Sequence, residues 1–101
     1  MLKSLIAKPA EIANVFATSA YQIDGVKKVY YKQTEENIVY IWTVVKKDDL
    51  SLRSKVYEVE SALYEQFPKT RFDFYVITLE RSQRKDIKEI IPRGFSLITK
   101  E

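Results

Sequence analysis

The chain has 101 residues, 46% hydrophobic and 13% aromatic, with two glycines, three prolines and a formal net charge of +3. That composition suits one domain, residues 1–101, because a chain of this size hides roughly two thirds of its unfolded surface in a single core. Cysteine and histidine are both absent, which excludes disulfides, thiolate nucleophiles, Ser-His and Cys-His triads and the usual zinc sites.

Ile12, Val15, Phe16 and Ala20 recur at three- and four-residue intervals and predict a helix from Pro9 to about Ala20. Pro9 suits the first turn, where its missing N–H has no intrahelical partner to lose. A start near Ser4, with a kink at Pro9, is the alternative. Asp24-Gly25 is a turn signal. Beyond it the alternation from Val26 to Lys32 predicts a half-solvated strand, with Val26, Lys28, Tyr30 and Lys32 on one face and Lys27, Val29 and Tyr31 on the other. After Thr34-Glu35-Glu36-Asn37, the stretch Ile38 to Val45 is apolar on both faces and predicts a central strand. The short link makes these two strands an antiparallel hairpin.

Asp48 and Asp49 open a second helix, where carboxylates accept from free N–H groups and meet the positive end of the macrodipole. Its buried stripe is Leu52, Val56, Val59, Leu63 and Phe67, with Arg53, Lys55, Glu58, Glu60 and Glu65 pointing away, and Pro68 ends it. Arg71 to Leu79 alternates again, with Phe72, Phe74 and Val76 on one face and Asp73, Tyr75 and Ile77 on the other. A strand reached through a helical crossover normally lies parallel to the one before it. Ser82 caps a short third helix with Ile87, Ile90 and Ile91 as its apolar face, and Phe95 to Thr99 follows the Arg93-Gly94 turn as a last strand or extended tail. The fold class is α/β (α+β), order α-β-β-α-β-α-(β), with a mixed sheet of three to four strands.

Val26 to Tyr31, Ile38 to Val45, the Leu52 to Phe67 helix, Phe72-Asp73-Phe74 and the closing Ile91 to Ile98 together resemble the minimal nucleotidyltransferase fold. The resemblance implies a Gly-Ser pair after the first strand to hold nucleotide phosphates, and two aspartates on the second strand to bind magnesium. Here Tyr31-Lys32-Gln33-Thr34 follows the first strand, and Tyr40 and Trp42 stand where the two carboxylates belong. Asp73 alone matches a family acid, and one carboxylate does not hold two ions about 4 Å apart. The resemblance therefore implies a non-catalytic descendant or a partner subunit.

No catalytic residue, metal site or cofactor follows from the residues themselves. The expected function is a non-enzymatic binding or protein-interaction module whose partner is another protein or a second copy of the chain. An alternative is binding of nucleic acid or a nucleotide, with Tyr40 and Trp42 among the strand aromatics as stacking surfaces and Lys27, Lys28, Lys32, Arg81, Arg84 and Lys85 as phosphate contacts. A third reading is an enzyme centred on Asp73, whose plainer explanation is a strand residue paired with Arg71 or a nearby lysine. Most of the strand aromatics are expected in the core. Acidic neighbours such as Asp48, Asp49, Glu80 and Asp86 dilute the basic groups into a mixed-charge surface. No apolar run approaches the roughly 20 residues that span a bilayer. The expectation is no membrane partner and a cytoplasmic location.

Overall fold

A computed structural model describes residues 8–33, 38–79 and 90–100. The chain is an α+β domain with the order α1 (Pro9–Ala20), β1 (Val26–Gln33), β2 (Ile38–Val45), α2 (Leu50–Gln66), β3 (Arg71–Thr78) and β4 (Ser96–Ile98). The four strands form one mixed sheet in the spatial order β3-β2-β1-β4. The β1–β2 and β1–β4 pairs are antiparallel and β2–β3 is parallel, as the helical crossover requires. The alternative start at Ser4 and the expected third helix up to residue 89 lie outside the described residues, while Ile90 and Ile91, the last apolar residues of that helix, are described. No described helix is long and apolar enough to cross a membrane.

Local chemistry sets the element ends. Pro9 is the first residue of α1, and Glu11 lies in the first turn, where the helix dipole favours an acid. Asp49 caps α2, its side chain accepting from the backbone N–H of Ser51 at 2.8 Å and of Leu52 at 3.3 Å. Ahead of Pro68, Phe67 leaves helical dihedrals at φ −128°, ψ 68°, and ends the helix. Gly25 takes φ +105° in the turn before β1, and its carbonyl accepts from the Lys46 N–H at 2.8 Å, closing the base of the hairpin.

Both helices cover one face of the sheet. Ile12, Phe16, Ala17 and Ala20 of α1 and Leu52, Val56 and Leu63 of α2 form a single buried cluster with Val26, Val29, Val39, Ile41 and Val45 of the strands. Phe74 adds its ring to Phe16, centroid to centroid at 5.6 Å. A smaller cluster lies on the opposite face, where Ile90, Ile91 and Phe95 pack over Tyr30, Val44 and Ile77.

Two expectations are corrected. The register shifts between Val26 and Lys28, so that one extra residue of β1, Lys27, stands against the Val44–Val45 step of β2. A β-bulge of this kind resets the alternation. Val26 therefore joins Val29 and Tyr31 against the helices, instead of sharing a face with Lys28, Tyr30 and Lys32. Glu60 does not point away either: it is only 9% exposed. It stands four residues after Val56 and three before Leu63, which are the spacings that bring side chains onto one helical face. Its Oε2 and the Thr43 Oγ1 are buried without a hydrogen-bond partner among the described residues. Burial pushes the Glu60 carboxyl from its ordinary 4.5 up to about 7.

Candidate functional site

On the face away from the helices, the strand registers set side chains into rows. Lys32, Tyr40 and Asp73 make one row across β1, β2 and β3, and Leu97, Tyr30, Trp42 and Tyr75 make the next across all four strands. Residues two apart on a strand point the same way, which puts Tyr40 beside Trp42 and Asp73 beside Tyr75. Only the Tyr30 end of this aromatic surface is fully covered: Tyr30 is buried, Trp42 is half-buried, and Tyr75 is 54% exposed.

A cavity of about 370 Å³ opens on these rows, lined by Lys32, Tyr40, Trp42, Asp73, Tyr75, Pro92 and Phe95. Trp42 anchors its floor, with ring centroids 4.7 Å from Tyr75 and 5.2 Å from Phe95. The Phe95 ring meets Tyr40 edge-on at 6.5 Å. At the β1 end, the Lys32 Nζ lies 5.8 Å from the Phe95 ring centre, a cation–π arrangement. At the β3 end stands the exposed carboxylate of Asp73, which has no ion pair among the described residues. The cavity is thus aromatic in the middle and oppositely charged at its two ends.

Gly94 fixes the Lys32 end. It adopts φ +94°, and a Cβ built there would lie 3.2 Å from the Lys32 Cε. Only glycine both makes that turn readily and lets the loop press against the lysine stem.

Of the candidate residues read from the sequence, Lys32, Tyr40, Trp42 and Asp73 come together in this cavity. Lys27, the exposed bulge residue, and half-buried Lys28 do not line it. Arg81, Arg84 and Lys85 lie outside the described residues. The expected pairing of Asp73 with Arg71 is not formed. The mixed-charge expectation holds elsewhere, since Lys46 pairs with Asp24 and Lys47 with Asp49, each at 3.8 Å, and Arg53 with Asp48 at 2.8 Å.

Pro92 and Phe95 are site residues that the sequence pattern does not reveal, and Tyr75, one of the strand aromatics, joins them in the cavity. Tyr75 was legible, two residues beyond Asp73 on an alternating strand. Phe95 was not, because nothing in its neighbourhood says which strand residues it covers.

The cavity's single carboxylate sets its chemistry. Among the described residues no group of three or more His, Cys, Asp or Glu side chains is placed to hold a metal ion. A second cleft of about 290 Å³, between α1 and β4, is lined by Asn14, Thr18, Tyr21, Gln22 and their neighbours, with Lys100 as its one charge. It has one aromatic residue, Tyr21, where the first cavity has four, and no opposed charges.

Set against known protein families, curated proteins and solved structures, the chain has no match.

Proposed function

We propose that the chain is a non-enzymatic binding module that takes the planar ring of a nucleotide, or of single-stranded nucleic acid, on the helix-free face of its sheet. The observation that carries this reading is the cavity itself, where Tyr40, Trp42, Tyr75 and Phe95 converge with Lys32 at one end. A base stacked on an aromatic side chain gains about 1–3 kcal/mol, and a lysine at the rim meets phosphate. The resemblance to minimal nucleotidyltransferases agrees with it in one respect. Tyr40, Trp42 and Asp73, the three positions where the family would carry acids, share the cavity, so the chain reads as a descendant that has exchanged metal ligands for ring surfaces. With one carboxylate left, Asp73 has no second ligand beside it to hold a pair of catalytic ions.

The test is the unfolding temperature of the chain with each nucleoside monophosphate and triphosphate, with and without magnesium, and with a short single-stranded RNA. A ligand at about 100 times its Kd adds about 2.7 kcal/mol and raises the midpoint of a domain this size by more than about 5 °C. Shifts that need no magnesium and shrink with added salt support the proposal. Shifts that require magnesium would point instead to an enzyme centred on Asp73.

A second reading, a protein-interaction or self-associating module, draws on a different surface. β3 is an edge strand of eight residues, unpaired on its outer side among the described residues, and Tyr57 and Tyr64 on α2 are each 48% exposed. Light scattering decides it: a dimer mass at micromolar concentration, with no ligand shift from the panel, favours this reading over nucleotide binding.

A further inference from the structure

Resting on the nucleotide reading, we infer that Asp73 makes the cavity selective for guanine, with the base edge at β3 and the phosphate at β1. An ionised carboxylate only accepts hydrogen bonds, and its two oxygens are best met by two adjacent donors. Among the four bases, guanine alone presents such a pair, N1–H and the 2-amino group, on one edge. Adenine and cytosine place an acceptor nitrogen beside their amino group, and that lone pair would face the second carboxylate oxygen. Uracil offers one N–H between two carbonyls. A base stacked on an aromatic ring leaves this edge free to be read by a neighbouring side chain.

The arrangement on the sheet favours one orientation. Asp73 stands opposite Tyr40 in the β2–β3 register, with Trp42 and Tyr75 in the adjoining row, so a ring lying on the aromatic floor turns its edge toward the carboxylate. Lys32 is at the other end of the same row, two strand spacings or about 10 Å away between backbones. A nucleoside monophosphate bridges that span from base edge to phosphate, and its own charge distribution matches the cavity's: donors at one end, an anion at the other. Lys32 lies over the Phe95 ring, its stem passing where a side chain at position 94 would otherwise stand.

The chain contains one tryptophan, Trp42 in the cavity floor, so its intrinsic fluorescence reports occupancy directly. The experiment titrates the chain with GMP, IMP, AMP, CMP and UMP, and with arginine amide as a guanidinium without a base. IMP keeps N1–H and lacks the 2-amino group. The expected result is that GMP binds at least about tenfold more tightly than IMP or AMP. Asp73→Asn, an exposed strand substitution that leaves the core untouched, should remove most of that advantage by weakening GMP and tightening AMP, because the amide accepts from adenine's amino group and donates to the acceptor nitrogen beside it. Five nucleotides binding alike, with Asp73→Asn binding them alike too, would overturn guanine selection and leave the stacking site standing. No quenching by any nucleotide would overturn both. Arginine amide binding as tightly as GMP, and lost in Asp73→Asn, would overturn the inference in favour of a guanidinium from a protein partner.

Discussion

On the helix-covered face of the sheet, Val29, Val39, Ile41 and Val45 are almost completely buried, while on the opposite face Tyr40, Trp42 and Tyr75 keep part of their rings in solvent. Both surfaces are apolar by composition, yet their chemistry differs. Branched aliphatic side chains have no polar atom, so their gain grows with the area buried and is greatest when burial is complete. Tyr and Trp combine a large apolar body with a hydrogen-bonding tip and are suited to a half-wet surface. The contrast separates a packed surface from an accessible one: on the helix-covered face the buried residues of β1 and β2 are mostly aliphatic, with the rings of Phe16 and Phe74 packed among them, whereas on the other face the residues that stay accessible are mostly aromatic.

The widest separation should come from truncating one ring on each side. Phe16, fully buried against Phe74, should cost about 3–5 kcal/mol on Phe16→Ala, read from urea denaturation. Tyr75→Ala, at a half-exposed ring, should cost less than about 1 kcal/mol while weakening ligand-dependent Trp42 fluorescence changes. Equal stability losses would erase the distinction between the two faces.

Glu60 sharpens the comparison from within the covered side, as an acid without a partner among the described residues. Its carboxyl holds a proton more tightly in the fold, at about 7, than in the unfolded chain, where 4.5 is ordinary. The native state therefore binds more protons than the unfolded state between those values, and stability must fall as pH rises from about 4.5 to about 7, then level off. Glu60→Gln removes the charge that causes the fall. It should raise stability at pH 8 by about 2–3 kcal/mol and change it little at pH 4. A gain of the same size at both pH values would place the cost of Glu60 in its shape or hydrogen bonding instead of its charge.

The smallest of these effects belongs to the aromatic side. Gly94→Ala should cost about 1 kcal/mol, because an L side chain at φ +94° is strained and its Cβ crowds the Lys32 stem. The melting temperature should drop by a few degrees, and the part of nucleotide binding that depends on phosphate should weaken with it. Unchanged binding would show that the Lys32 stem yields to the added methyl and that Gly94 does not set its position.

Much of this architecture can be read directly from residue patterns. The interval of Ile12, Phe16 and Ala20, the doubly apolar run from Ile38 to Val45, the aspartates before Leu50 and Pro68 after Phe67 each encode their element locally, and the parallel pairing of β3 follows from the helical crossover between it and β2. What was hidden depends on other parts of the chain. Period-two alternation has no symbol for an extra residue, so the bulge at Lys27 stayed invisible and Val26 was assigned to the wrong face. Glu60 was judged by its charge although its position is that of a core residue. Four of the site residues were found because they sit on strands whose faces can be counted. Phe95 lies 22 residues beyond Asp73 and 53 or more beyond the other three, and no local pattern records that meeting.

Tyr21, at the end of α1, has a hydroxyl that accepts from the Val29 N–H at 2.9 Å and donates to the Ile98 carbonyl. Val29 and Ile98 are register partners of β1 and β4, so a side-chain oxygen stands in the ladder where a direct backbone bond would otherwise run. Three elements consequently share one joint. The Val29 amide cannot exchange its hydrogen with solvent unless that joint parts, and β4 begins one residue after Phe95. Protection of this single amide thus becomes a clock for the departure of the C-terminal strand, and Tyr21→Phe should speed it by about tenfold or more, leaving the Val29 N–H and the Ile98 carbonyl without the partner they share.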